Sequence, residues 1–329
     1  MTAYVLEDRF VGSMLGTALG DALGAPFEGR ARVTVPEVEN LIAGRGQLRY
    51  TDDTHMSIGL AQSLVARRGL DEDHLAQTLA ENHGLEPWRG YGEGSARVFR
   101  LIRSGVHWRE AAVQVNPGGS YGNGGAIRVA PLGLFYFDRL RELELAAERQ
   151  SAVTHANSLG KEGAVLQAAA VAYALRSDPR KPVDISQFLG YLGSLARSKV
   201  YREKLRSLKD LVEQSCPWQS ELAHRGNQGV EMEQEMARVR AALGNGVTAH
   251  DSVVTALYFF LTSPDAFLPG IIRAISLGGD TDSIAAMTGA ITGARLGRGA
   301  IPPELEGRLE NHSLIEEMGT RLYEIKAGF

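Results

Sequence analysis

The 329-residue chain predicts one all-α domain with a central layer of Ala/Gly-rich helices and a charged outer layer. Three observations carry this expectation. Apolar residues recur at helical spacing in segment after segment, no series of alternating strand-like runs is present, and glycines fall every fourth residue in two of the most apolar segments. With 44% hydrophobic residues the chain can bury a large core. No repeat, heptad run or low-complexity tract interrupts it. Only a mild charge shift near residue 177 hints at a boundary, so residues 1–329 read as a single unit.

Composition narrows the functional classes. A formal charge of −4 argues against a protein that grips nucleic acid through phosphate contacts, and leaves a small anionic ligand open. Cys216 is the only cysteine, so no internal disulfide and no thiolate metal cluster can form, which fits a cytoplasmic protein. The opening MTAYVLEDRF has no basic region ahead of an apolar run. The most apolar stretches, 164–175 and 253–261, are too short to span a bilayer, so no membrane role is expected.

In chain order, Val11, Met14, Leu15, Ala18, Leu19, Ala22 and Leu23 follow the helical template, and Gly12, Gly16, Gly20 and Gly24 recur every four residues. Each interior glycine costs roughly 1 kcal/mol relative to alanine, so several in one helix imply that something packs hard against it. The second glycine stripe, Gly289, Gly293 and Gly297, is the expected partner. The first helix breaks at Ala25-Pro26-Phe27-Glu28-Gly29, where Glu28 reads, on the residues alone, as a solvated loop carboxylate.

Tyr50-Thr51-Asp52-Asp53-Thr54 is an acidic turn that opens a helix through Ile58, Ala61, Leu64 and Val65. A matching turn, Gly279-Asp280-Thr281-Asp282-Ser283, opens a helix whose apolar face carries Ile284, Met287, Ile291 and Ala294. A capping role suffices for one Asp at a helix start. If the two turns meet, however, four carboxylates converge, and each like-charged pair at 4 Å costs about 4 kcal/mol at an effective dielectric of 20. A divalent cation, or two, resolves this, and all-oxygen donors point to magnesium, manganese or calcium rather than zinc. His55 beside the first turn reads as structural.

Residues 70–109 are helical around a loop at 86–94 that carries no readable chemistry. Residues 116–125, NPGGSYGNGG, are the most glycine-dense stretch, read either as a plain surface loop or as a cradle for phosphate oxygens with Tyr121 offering a face to a base. Gly118-Gly119-Ser120-Tyr121-Gly122 also matches the nucleophile-elbow string of serine hydrolases, but the strand and helix that the elbow needs on either side are absent from the pattern. His155 precedes an Ala-rich helix, a place where a hydrogen-bonded core histidine is commoner than a ligand. Charged helical stretches follow near 201–214 and 231–242, then the apolar helix 253–261, and the tail after Gly299 adds one or two peripheral helices.

Gly20-Asp21-Ala22-Leu23-Gly24, Thr51-Asp52-Asp53-Thr54, GSYGNGGAIRVAPLG at 119–133, Thr154-His155-Ala156 and LGGDTDSIAAMTGAI at 277–291 together resemble the ADP-ribosylglycohydrolases. These are all-α enzymes with a two-magnesium centre that release ADP-ribose from modified proteins. The resemblance spans residues 10–297 and implies a compact orthogonal helical bundle around a dimetal site. Within the family, the Ser-Tyr ahead of Gly-Asn-Gly-Gly and the Gly-Tyr-Gly at 90–92 are most similar to the branch that hydrolyses poly(ADP-ribose) and serine-linked ADP-ribose.

The resemblance implies that Thr51, Asp52, Asp53, Asp280, Asp282 and Ser283 ligate two Mg2+ ions, with Mn2+ as the other fitting cation. It makes Glu28 the catalytic carboxylate on a mobile loop, with Asp53 and Asp282 as catalytic partners that hold the water. Gly119, Ser120, Tyr121 and Gly122 would hold the diphosphate, Tyr121 would stack on adenine, and His155 would touch the ADP-ribose. Ser283 stands where the family commonly has Thr, and Val115 where the closest branch has an aromatic residue. The implied partner is an ADP-ribosylated protein or an ADP-ribose-containing small molecule, acted on by a monomer. Other readings are an arginine-specific ADP-ribosyl hydrolase, a serine hydrolase using Ser120, a non-catalytic ADP-ribose-binding protein and a structural protein on this scaffold. Oxygen side chains at all six ligand positions argue against the last two.

Overall fold

Helices are the regular elements of the computed structural model, which describes residues 3–215 and 228–328; Cys216 lies outside the described residues. In order they are α1 (Ala3–Gly24), α2 (Val35–Ala43), α3 (Asp52–Arg67), α4 (Glu72–Leu85), α5 (Glu93–Arg103), α6 (Trp108–Val115), α7 (Gly124–Ile127), α8 (Ala130–Phe135) and α9 (Leu140–Ala152). There follow α10 (Ser158–Arg176), α11 (Ile185–Leu195), α12 (Lys199–Gln214), α13 (Gln228–Leu243), α14 (Ala249–Leu261), α15 (Phe267–Ser276), α16 (Thr281–Leu296), α17 (Pro303–Glu306) and α18 (His312–Ala327). No strand occurs among the described residues, where pairing is limited to two isolated bridges, Leu48 with Leu309 and Gly122 with Thr248. The all-α expectation holds.

The central layer is built on α1 and α16, with α10 and α14 packed against α16. The two glycine stripes meet as expected. A Cβ placed on Gly16 would strike the backbone of Gly289, one on Gly12 the backbone of Gly297 and Gly293, and one on Gly20 the backbone of Ala285, each closer than 3.0 Å. Backbone therefore lies on backbone, and each glycine is required because no side-chain rotamer could relieve the overlap. Polar links reinforce the contact: Ser13 Oγ donates to the Ala290 carbonyl at 2.8 Å, and Thr281 Oγ1 to the Gly24 carbonyl at 2.9 Å.

One end of this layer is closed by two buried arginines. Arg9 donates to the carbonyls of Leu175 (2.7 Å) and Ser177 (2.9 Å), satisfying groups that the C-terminus of α10 leaves open, and its Nε reaches the Arg295 carbonyl at 2.8 Å. Arg295 in turn donates to the Lys181 carbonyl at 2.7 Å and to Asp265 at 2.8 Å. The opposite end, where α1 finishes and α3, α10 and α16 begin, is left for chemistry. The tail is less peripheral than expected. Gly319 of α18 lies against the Val11 backbone, and Glu310 accepts from the Tyr50 N–H at 3.0 Å and from Arg89, which pins the segment entering α3.

Gly16→Ala should cost about 3 kcal/mol, the upper range for overpacking, because a backbone must move. Gly193→Ala, on exposed α11 with nothing within 4 Å, should instead stabilise by about 0.5–1 kcal/mol. Thermal denaturation of the two variants checks the pairing; equal melting temperatures would refute it.

Candidate active site

Four helix ends and two glycine turns build the site. At the start of α3, Thr51 is the N-cap and its Oγ1 accepts from the Asp53 N–H at 3.3 Å. The Asp52 N–H donates to the Arg89 carbonyl at 2.7 Å, which ties the turn to loop 86–92. At the start of α16, Asp280 is the N-cap; its N–H donates to the Asn245 carbonyl at 2.9 Å and its carboxylate accepts from Asn123 Nδ2 at 2.5 Å. Asp282 accepts from the Ser283 N–H at 2.9 Å. The two acidic turns meet directly, for Ser283 Oγ donates to Asp53 Oδ2 at 2.9 Å.

Glu28 reaches the same place from the end of α1. The Gly29 N–H donates to the Gly279 carbonyl and the Gly279 N–H to the Arg30 carbonyl, both at 2.9 Å, so the loop bearing Glu28 is clasped to the turn bearing Asp280. Gly278 and Gly279 both have positive φ (76° and 79°); a Cβ on Gly278 would collide with the backbone of Arg30 and Ala31 and one on Gly279 with Asn245, so only glycine fits there. Glu28 is exposed, Asp280 and Asp282 are buried, and one oxygen of each lies within 4.8 Å of the others, a group able to hold a metal ion.

Electrostatics make the fit to a cation explicit. Burial pushes Asp52, Asp53, Asp280 and Asp282 above the usual carboxylate range, and repulsion between neighbouring carboxylates adds to the shift of Asp52, Asp53 and Asp282. Burial, then the charge of Asp280, raises Glu28. Among the described residues no Lys, Arg or His forms an ion pair with any of these five groups. An all-oxygen set without an internal counter-charge is what a hard divalent cation requires.

These groups line a cleft of about 250 Å³ together with Ser120, Gly122, Asn123, His155 and Val247. Ser120 and Gly122 are brought to the cleft, and Ser120 Oγ accepts from the Gly122 N–H at 3.2 Å. Gly119 is not on its wall: with φ of 80° it packs against the backbone of Ala156 and Asn157 and shapes the turn. Tyr121 is 52% exposed and is not among the residues that line the cleft; its ring lies tilted 6.4 Å from that of His250. His155 is buried on the wall with Nδ1 at 2.7 Å from the Thr154 hydroxyl rather than a carboxylate, so no Ser-His-Asp chain runs through Ser120. His55 is structural, its Nδ1 2.7 Å from the Tyr91 hydroxyl.

Four contributors escaped the sequence reading of the site. Asp21, completely buried, accepts from the Thr51 and Thr54 N–H groups at 3.0 Å and from the Thr54 hydroxyl at 2.6 Å, holding the first acidic turn from below. Its signal was available as a carboxylate in the midst of an apolar helix. Asn123 and Asn245 position Asp280, and loop 86–94, without legible chemistry, brings Gly90, Gly92 and Glu93 to the cleft. Asp21→Asn would aim an amide N–H at these donors; it should destabilise by about 2 kcal/mol or more, measured by urea denaturation. An unchanged midpoint would remove Asp21 as the support of the turn.

A family model described as ADP-ribosylglycohydrolase matches residues 2–328. The chain is 36% identical to ADP-ribosylhydrolase ARH3 of Gallus gallus, over 96% of this chain and 93% of that protein. It is 34% identical to ADP-ribosylhydrolase ARH3 of Homo sapiens with the same coverage. A solved structure described as an ADP-ribosylglycohydrolase-related protein complex has the same fold, with a TM-score of 0.73 over 98% of this chain and 99% of that one at 24% identity. A match over nearly the whole length, on a fold that brings its acidic turns together, shows that the chain belongs to the ADP-ribosylglycohydrolase family and is a glycosidic-bond hydrolase.

Proposed function

We propose that the chain, as one domain over residues 1–329 and as a monomer, releases ADP-ribose from serine-linked mono-ADP-ribosylated protein. O-acetyl-ADP-ribose and poly(ADP-ribose) are further substrates of the same chemistry. The observation that carries the reading is the meeting of the two acidic turns beneath an exposed Glu28 at one cleft. The Ser-Tyr-Gly-Asn-Gly-Gly string and the names of the relatives support the choice of linkage.

Thr51, Asp52, Asp53, Asp280, Asp282 and Ser283 would hold two magnesium ions, and manganese suits the same donors. Bound there, the ions would supply positive charge that offsets the carboxylates and polarises oxygen ligands. The chain's own groups do the rest. Ser120 and the glycine turn around it bind the diphosphate, Tyr121 stacks on adenine, and His155 meets the ADP-ribose from the wall. Asp53 and Asp282 orient the attacking water by accepting its hydrogens, and Glu28 moves a proton at the scissile oxygen. The bond from the anomeric carbon to the acceptor breaks with oxocarbenium character, water's oxygen joins that carbon, and the proton ends on the leaving oxygen.

Three measurements test this. With magnesium, free ADP-ribose should appear from a serine-ADP-ribosylated peptide and not with EDTA; release from an arginine-linked peptide alone would overturn the linkage and keep the chemistry. Glu28→Gln should lower kcat by about a hundredfold or more while ADP-ribose affinity by calorimetry stays within about threefold; full activity would remove Glu28 from the reaction. Magnesium at a hundredfold excess over its Kd should stabilise the wild type by about 2.7 kcal/mol. Asp282→Asn should lose that increment in a melting experiment.

A further inference from the structure

Behind the cleft wall lies a buried cation that the proposed mechanism does not use. Arg128 is 0% exposed, and no carboxylate pairs with it among the described residues. Its guanidinium donates to Gln150 Oε1 at 2.8 Å, to the Gln150 carbonyl at 2.7 Å and to Thr154 Oγ1 at 2.8 Å. The same Thr154 oxygen lies 2.7 Å from His155 Nδ1.

The chemistry of these three groups leaves one arrangement. A guanidinium only donates, so Thr154 Oγ1 accepts from Arg128. The threonine's own hydrogen then has one acceptor among the described residues, His155 Nδ1. Were Nδ1 to carry the hydrogen instead, the buried threonine donor would be left without a partner. An imidazolium would add a second buried positive charge beside Arg128, and burial together with that charge pushes the His155 ring down to about 3. A neutral ring with an accepting Nδ1 must hold its hydrogen on Nε2. The glycine loop fixes where that nitrogen sits: a Cβ on Gly124 would lie 2.7 Å from the ring's Cε1, and one on Gly122 would lie 3.3 Å from Nε2, against the turn that lines the cleft.

We propose that Thr154, oriented by Arg128, is a positioning residue that locks His155 with its Nε2–H presented to an acceptor oxygen of the bound nucleotide. The identity of the ligand rests on the ADP-ribose reading above, whereas the locked ring does not. This wall of the cleft then offers a fixed hydrogen-bond donor whose state is independent of pH across the neutral range. A nucleotide oxygen finds it already aimed, with no tautomer change on binding. The positive charge of Arg128 lies one hydroxyl behind it and strengthens the donor toward an anionic oxygen.

Full-length protein labelled with 15N in its histidines tests this through long-range proton–nitrogen spectra of wild type, Thr154→Val, Thr154→Ser and Arg128→Met, each titrated with ADP-ribose by calorimetry. In the wild type the His155 ring should be neutral with protonated Nε2 from pH 5 to 8. Thr154→Ser should keep that signature and bind ADP-ribose within twofold of wild type. Thr154→Val should shift the ring toward Nδ1–H, with Kd raised about tenfold. Arg128→Met should have the same effect on the ring if it folds, and Thr154→Val carries the test if it does not. A wild-type ring protonated on Nδ1, or a Thr154→Val ring indistinguishable from wild type, would overturn the proposal. The expected ring signals without any ADP-ribose binding would uphold the lock and overturn the ligand reading instead.

Discussion

Carboxylates brought together at the ends of buried helices repel one another, and the protein holds them in place by making the helices beneath unable to move apart or slide. The backbone contact of α1 with α16 is that constraint. Side chains interposed between two helices permit several spacings, whereas carbonyls resting on glycine Cα atoms permit one. Since α1 leads into Glu28 and α16 opens with Asp280 and Asp282, the spacing of the helices is also the spacing of the acidic groups. The interior glycines weaken each helix taken alone and stiffen the pair.

Along α1, α3 and α16 the buried charges divide by sign, Arg128 behind the cleft wall standing outside that division. Arg9 and Arg295 saturate carbonyls at one end of the central layer, where the C-termini of α10 and α16 carry partial negative charge. The carboxylates occupy the other end, at the starts of α3 and α16, where partial positive charge accumulates. The dipoles alone are too weak to balance the acidic cluster. Asp21 adds a further carboxylate below it, tolerable because the Thr51 and Thr54 N–H groups and the Thr54 hydroxyl point at its oxygens. The arrangement is an acidic centre whose donors suit an external cation.

Much of this was legible in the residues. The glycine stripes announced their own pairing, since steric need repeats at the helical period and leaves a pattern in one dimension. Both acidic turns were visible because capping residues at a helix start have a recognisable composition. The remainder was illegible for physical reasons. Asn123 and Asn245 act through single hydrogen bonds across long chain separations, and asparagine in a loop is commonplace. Loop 86–94 contributes backbone to the site, and a backbone carbonyl such as that of Arg89 has no residue signature at all. The tail looked peripheral because its role rests on Glu310, one carboxylate in a charged segment, meeting Tyr50 and Arg89. Gly119 was legible as a special residue but not as one that faces Ala156 and Asn157.

The paired hydrogen bonds between Gly29, Arg30 and Gly279 carry a thermodynamic consequence. They fasten the segment that bears Glu28 to the turn that bears Asp280, so neither can be displaced without changing the free energy of the other. Occupancy of the acidic centre and the position of the Glu28 segment are therefore linked functions, and linkage is reciprocal. Whatever favours the seated loop tightens the grip on a cation by the same factor with which the cation seats the loop.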